Sequence, residues 1–153
     1  MKQLLQILPP YIAKTWNAMT ERDKREVTEI RLRVGKPVYF CCGRSEYAPG
    51  EEGLCRRDGK IFTAEEAATM WRRLCRDAPY AHLEGQRAGF MTVEGNRVGF
   101  TGTYAVSEGD IRHVEAVSSF CVRIMREVKG CASGVYPFLL ADNRPLHTLL
   151  ISP

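Results

Sequence analysis

Arginine set between apolar residues recurs three times along this 153-residue chain, in EIRLR (29–33), WRRLCR (71–76) and CVRIMRE (121–127). A guanidinium presents a planar fork of donors that fits a phosphate or a carboxylate, and its stem can lie along apolar surface while the head stays charged. Two jobs suit such positions. The arginines can bind an oxyanion, or they can tie strands and helices together by salt bridges, for which Arg31 has Glu29 nearby and Arg126 has Glu127. Residue type and spacing leave both open.

The other reactive side chains form no catalytic set. His82, His113 and His147 stand apart from one another and from any serine or cysteine in a nucleophile setting. Cys41, Cys42, Cys55, Cys75, Cys121 and Cys131 include no pair at the two-residue spacing of a zinc knuckle or redox motif, so no metal site is expected. The opening MKQLLQILPP lacks the apolar run and cleavage site of a secretory signal, so reduced, mostly buried thiols in the cytosol are the default expectation. Gly95, Gly99 and Gly102 in GNRVGFTG invite comparison with a phosphate loop, but they lie in a hairpin pattern rather than at a strand-to-helix turn. A net charge of +4, from 22 basic and 18 acidic residues spread over many segments, is weak support for nucleic-acid binding. The longest continuous apolar run, VYFCC at 38–42, falls far short of the ~20 residues that span a bilayer.

The elements that must position the arginines are legible in outline. With 44% apolar and 26% charged residues the chain has the balance of a globular domain that folds without staples. A helical stretch restarts at Pro9-Pro10, and a helix is expected over 11–19. EIRLRVGKPVYFCC alternates Ile30, Leu32 and Val34 against Glu29, Arg31 and Arg33, then turns at Gly35-Lys36-Pro37, a hairpin pattern. Residues 43–60, rich in Gly and charge, read as turns and an exposed loop. Thr63 and Glu66 form a capping box for a helix with Ala64, Ala67, Ala68, Trp71, Leu74 and Cys75 on one face. Gly95-Asn96 marks a second hairpin within GFMTVEGNRVGFTGTYAV. VEAVSSFCVRIMRE alternates as a strand, with Val117, Ser119, Cys121, Arg123 and Met125 facing one way and Ser118, Phe120, Val122, Ile124 and Arg126 the other. KGCASGVYPFLLADNRP holds a short helix ending in a turn, and LHTLLIS reads as a buried strand. The periodic core faces account for the apolar residues, so no large exposed apolar patch and at most weak self-association are expected.

In this order, LP (8–9), EIRLRVGKPV (29–38), NRVGFTGTY (96–104), SSFCVRIMREVKG (118–130) and TLLISP (148–153) resemble the N-terminal half of the stage III sporulation protein AA family, relatives of the type II and type IV secretion motor ATPases. The resemblance covers nearly the whole chain, with little carried by 43–60. It implies an α+β fold with a mainly antiparallel sheet and packed helices over 1–130. A connector and the first strand of a truncated RecA-like ATPase domain follow over 131–153. In the family the strand like TLLISP leads into a Walker A loop, G-x-x-x-x-G-K-[ST], and that pattern occurs nowhere in these 153 residues. ATP and Mg are accordingly implied as cofactors of the longer protein, with none expected bound here. The resemblance further implies movement against an ATPase domain of the same chain in a homo-oligomeric ring, a hexamer by analogy. It implies a cytoplasmic place in the mother cell, at a membrane channel shared with the forespore. Arginines of this domain approach the nucleotide in related motors, and by motif the candidates are Arg123 and Arg126, then Arg97, Arg31 and Arg33. A nucleic-acid-binding α+β module and a purely structural interaction domain are the alternative readings, with nucleic acid unlikely if the arginines have acidic neighbours.

Overall fold

The computed structural model describes every residue except 57–58, 77–81, 108, 143, 150 and 152–153. Two prolines set the start. Helix α1 (Lys2–Ile7) ends before Pro9, and α2 (Pro10–Ala18) begins with Pro10 in its first turn, where a missing N–H removes a donor that has no helical partner anyway. Leu4, Ile7, Leu8, Ile12 and Trp16 fall on the buried side of the pair. The short α3 (Glu21–Glu26) buries nothing; Thr20 caps it by accepting from the Asp23 amide, and Glu21 and Asp23 at its start with Lys24 and Arg25 at its end match its dipole.

The chain then runs straight into a seven-stranded sheet made of two meanders. The first is β1 (Val27–Arg33), β2 (Tyr39–Cys42), β3 (Ser45–Gly50) and β4 (Gly53–Cys55); the second is β5 (Phe90–Val93), β6 (Asn96–Ser107) and β7 (Asp110–Arg123). Pairing of β1 with β7 joins them, giving the order β4-β3-β2-β1-β7-β6-β5 with every neighbouring pair antiparallel. Between the meanders in sequence come α4 (Ala64–Leu74) and α5 (Leu83–Ala88). Side chains from α1, α2 and α4 cover one face of the sheet, where Ile30, Leu32, Phe40, Val98, Phe120 and Val122 are almost fully buried. Trp71 of α4 meets Phe100 edge-on at 4.8 Å between ring centroids, and Phe62 meets Phe120 in the same manner at 6.3 Å. The α+β, mainly antiparallel architecture implied by the sequence is therefore the one present.

Several local expectations need correction. Residues 43–60 are not simply a loop, because 45–50 and 53–55 form the β3/β4 hairpin at the sheet margin. Its strands alternate weakly, since few of their side chains are needed inside; Ala48 is buried, and the Thr15 hydroxyl donates to the Gly50 carbonyl at 2.7 Å. Within that expected loop, residues 57–58 lie outside the described residues. The capping box of α4 is present, with the Thr63 hydroxyl accepting from the Glu66 amide and Glu66 from the Thr63 amide. Its buried stripe is Ala67, Met70, Trp71, Leu74 and Cys75, while Ala64 and Ala68 face solvent, which narrows the stripe and shifts it toward Met70. The β5/β6 turn is Glu94-Gly95, both with positive φ, and not Gly95-Asn96. Asn96 instead opens β6 as a buried fastener, donating to the Val93 and Glu94 carbonyls and accepting from the Met125 amide.

Strand β7 departs furthest from plain alternation. Its register against β6 slips three times, leaving Ser118, Glu115 and Arg112 without opposite numbers. Each slip moves the next apolar residue back to the core side, so Val114, Val117 and Phe120 are all buried, and Val117 does not share the face of Arg123. The freed backbone groups find other partners. The Val34 amide donates to the Ser118 carbonyl, the Val114 amide to the Gln86 side chain at 2.7 Å, and Arg87 to the Ile111 carbonyl. At the first slip the strands close so tightly that a Cβ on Gly102 would lie 1.9 Å from the Ala116 carbonyl oxygen.

Beyond Ile124 burial ends. A 3-10 turn (Tyr136–Leu139) and a two-stranded β8 (Leu140–Ala141) and β9 (Arg144–Pro145) follow. Residues 146–149 and 151 form no strand, and Leu149 and Ile151 are 82% and 87% exposed, against the expectation of a buried strand; Leu150, Ser152 and Pro153 lie outside the described residues. A buried strand needs neighbours on its edges and faces, and none of the described residues supplies them. Tyr136 and Phe138 are exposed as well, so the periodic core faces do not account for every apolar residue. Replacing Gly102 with Ala should destabilise the fold by about 1–3 kcal/mol or more, because the obstacle is backbone. Gly134→Ala, where the added carbon meets open space, should stay within ~0.5 kcal/mol, and urea unfolding of the two variants makes the comparison.

Candidate functional site

The helices cover one face of the sheet only, and the alternation of β1, β6 and β7 sends their polar side chains to the other. Register fixes three rows across that open face. In the first, Glu29 of β1 stands opposite Arg123 of β7, which stands opposite Arg97 of β6, followed by Thr92 of β5. The second runs Tyr39, Arg31, Cys121, Gly99 and Phe90, and the third Arg33, Ser119 and Thr101. Four of the five arginines singled out in the sequence therefore share one surface.

They are not equivalent. Arg31 is held at both ends, hydrogen-bonded through Nε to Glu29 and through Nη1 to Glu46 at 2.6 Å. Arg123 is 71% exposed and reaches Glu29 only at 3.9 Å, with no hydrogen bond of its own among the described residues. Arg97 has no carboxylate partner among the described residues and lies 4.1 Å from the centre of the Phe90 ring, a cation–π stack. Arg97 and Arg123 directly oppose each other, and like charges in that position destabilise a sheet. Arg33 has no ion pair among the described residues and sits beside Ser119. Arg126 belongs elsewhere: past the end of β7, it donates to the Arg25 carbonyl at the end of α3, where a cation is favoured.

Glu29 is the hub of the row, with its side chain 16% exposed. Burial alone would raise its carboxyl pKa, but hydrogen bonds from Arg31 and the Cys121 thiol, with the charges of Arg31 and Arg123, outweigh that and hold it below the usual glutamate range. Burial, then the bond to Glu29 and its charge, push the Cys121 thiol up to about 11; burial also raises Cys41. Both thiols stay protonated at neutral pH, so neither is a ready nucleophile.

Sequence reasoning missed Glu46 and Phe90 as parts of this surface, and it placed Cys121 on the face of Arg123 without a role. Glu46 was hidden in a supposed loop, and Phe90 joins the arginines only across strands. The histidines are not brought together: His82 precedes α5, His113 lies on β7 opposite Ala105, and His147 is exposed near the end. A cleft of about 1150 Å³ between α1, α4, α5 and the outer edge of β5 touches the arginine surface only at Phe90 and Thr92. These residues do not fit a nucleotide cradle with its magnesium. Gly95, Gly99 and Gly102 lie in or beside strands, and the space above Gly102 is already filled by backbone. No described helix is long and apolar enough to cross a membrane.

The family model described as Sporulation stage III, protein AA matches residues 1–153. Stage III sporulation protein AA of Bacillus subtilis (strain 168) is 28% identical over 159 residues, an alignment covering all of this chain and 47% of the relative. The chain thus spans about half the length of that protein. Among solved structures, the X-ray structure of the Legionella pneumophila ATPase DotB aligns with 89% of this chain and 33% of its own at 12% identity, with a TM-score of 0.42.

The lowered pKa of Glu29 gives this surface a pH signature. Stability from this carboxylate is present in full above its unfolded pKa of about 4.3 and is lost as the pH falls through the lower folded value. Glu29→Gln should therefore be less stable than the parent at pH 7, with the gap closing across the acid limb. Thermal melts at successive pH values would show it.

Proposed function

The chain belongs to the Sporulation stage III, protein AA family, and we propose that it is a module of a longer ATPase whose open sheet face meets nucleotide phosphates held by another domain. One observation supports this above the rest: Arg97 and Arg123 oppose each other on an uncovered face, and neither forms a hydrogen-bonded ion pair among the described residues. Two guanidinium forks so placed cost stability unless a shared anion comes between them, and a phosphate group has the charge and geometry to do so. An arginine brought to the phosphates of a nucleotide compensates charge that shifts in the transition state. Arg33 extends the same surface. Arg31 holds Glu29 and Glu46 and acts in support, and Arg126 is a poorer candidate because it caps α3.

In this reading residues 1–130 form the module and 131–153 the connector toward the ATPase domain. The exposed Tyr136, Phe138, Leu149 and Ile151 favour contact with further protein at that end. ATP with Mg, a ring of subunits, motion coupled to turnover and a role at a membrane channel in the mother cell complete the proposal; they rest on the resemblance of the sequence motifs to secretion motors. A nucleic-acid platform is less favoured, since Glu29 and Glu46 neutralise Arg31 in the middle of the face.

Two measurements test the reading. The 153-residue chain alone should show no ATP turnover above background; activity that co-purifies with it and scales with its concentration would contradict the proposal. In the longer protein, Arg97→Ala and Arg123→Ala should each cut turnover by ~10²–10³ with melting temperature nearly unchanged, while Arg126→Ala should act mainly through stability. Full turnover in both of the first two variants would remove the arginines from the mechanism.

A further inference from the structure

Glu29 stands between two arginines that hold it in different ways. To Arg31 it offers a direct hydrogen bond; to Arg123 it offers only a 3.9 Å approach, without a bond, to a side chain mostly in solvent. If Arg123 swung away, Glu29 would not be stranded, because Arg31 would still donate to it. Arg31 in turn stays fixed by Glu46 at 2.6 Å. Across the row, Arg97 waits with its guanidinium stacked on Phe90.

We propose that Glu29 is the resting counter-ion of Arg123: it keeps the guanidinium on the open face and gives it up to an incoming phosphate, which then lies between Arg123 and Arg97. This rests on the reading that these two arginines meet phosphate, and it adds the residue that sets how readily they do so. A phosphate group carrying about two negative charges outcompetes one carboxylate for a guanidinium. Exchange costs little, since the pair given up is long, its Arg123 end lies mostly in solvent, and the carboxylate keeps its hydrogen bond from Arg31. Glu29 is a positioning residue, acting through Arg123.

The test is calorimetric titration of the 153-residue chain with inorganic pyrophosphate at low salt, beside thermal melts. Glu29→Gln should bind about two- to fivefold more tightly, the range set by an exposed ion pair, while melting at a lower temperature. A merely structural glutamate would lose stability and affinity together. Glu46→Gln makes the same change of charge on the same face but touches only Arg31, so its affinity should match the parent; an equal gain there would reduce the effect to net charge and overturn the proposal. The gain should vanish when Arg123→Ala is added to Glu29→Gln. If Arg97→Ala and Arg123→Ala weaken pyrophosphate binding but Glu29→Gln does not strengthen it, the counter-ion role alone fails. If neither arginine variant changes binding, the phosphate reading fails, and the counter-ion role with it.

Discussion

Everything on the open face depends on the pairing of β1 with β7, five residue pairs from Glu29–Arg123 to Arg33–Ser119. It is the joint between the two meanders, and it makes one continuous seven-stranded sheet of them. On one side of the joint it sets Ile30 and Leu32 beside Val122 and Phe120, the centre of the core. On the other side it puts Glu29 next to Arg123 and Arg31 next to Cys121. Because side chains alternate with a period of two, a slip of one residue would send the arginines into the core and the isoleucine into water. Burial of one face thus fixes the chemistry of the other, and the arginine surface needs no interactions of its own to stay in register.

The charges on that surface are unequal in a way that separates holding from offering. Arg31 has two carboxylates and is spent on structure. Arg97 has an aromatic ring, which orients a guanidinium without neutralising it. Arg123 has part of one carboxylate. A face selected for stability alone would be expected to set an acid opposite Arg97, since an opposite-charge pair in that position stabilises a sheet and a like pair destabilises it. The neighbouring thiol fits the same picture: protonated Cys121, beside Arg31 in the register, adds no charge to the face.

What the sequence made legible followed the strength of local rules. The α4 cap, the proline break between α1 and α2 and the β1/β2 hairpin each depend on a few adjacent residues, and each was readable. The β3/β4 hairpin was not, because marginal strands rich in Gly, Glu and Arg bury too few side chains to alternate. Nor was the turn at Glu94-Gly95, displaced by one residue because Asn96 has a buried fastening role that composition does not reveal. Strand β7 shows a subtler limit: with a slip every three residues, its apolar positions at 111, 114, 117 and 120 follow a spacing close to that of a helix. As for the site, the arginines themselves could be named, but their division into held and unheld could not. That division comes from Glu46 and Phe90, which approach only through pairing across strands.

The two-meander layout also has a consequence for how the molecule comes into being. Strand β1 is complete by residue 33, yet its partner in β7 spans 119–123, so nearly ninety residues must be made before the central pair can close. On the ribosome the first meander would emerge with one flank of β1 unpaired, and that flank belongs to the strand with the deepest-buried side chains. Contacts so distant along the chain slow the search for the final topology. The alternating charges of EIRLR meet this interval as well: Glu29, Arg31 and Arg33 on one side of the waiting strand discourage it from pairing with another nascent chain before its proper neighbour arrives.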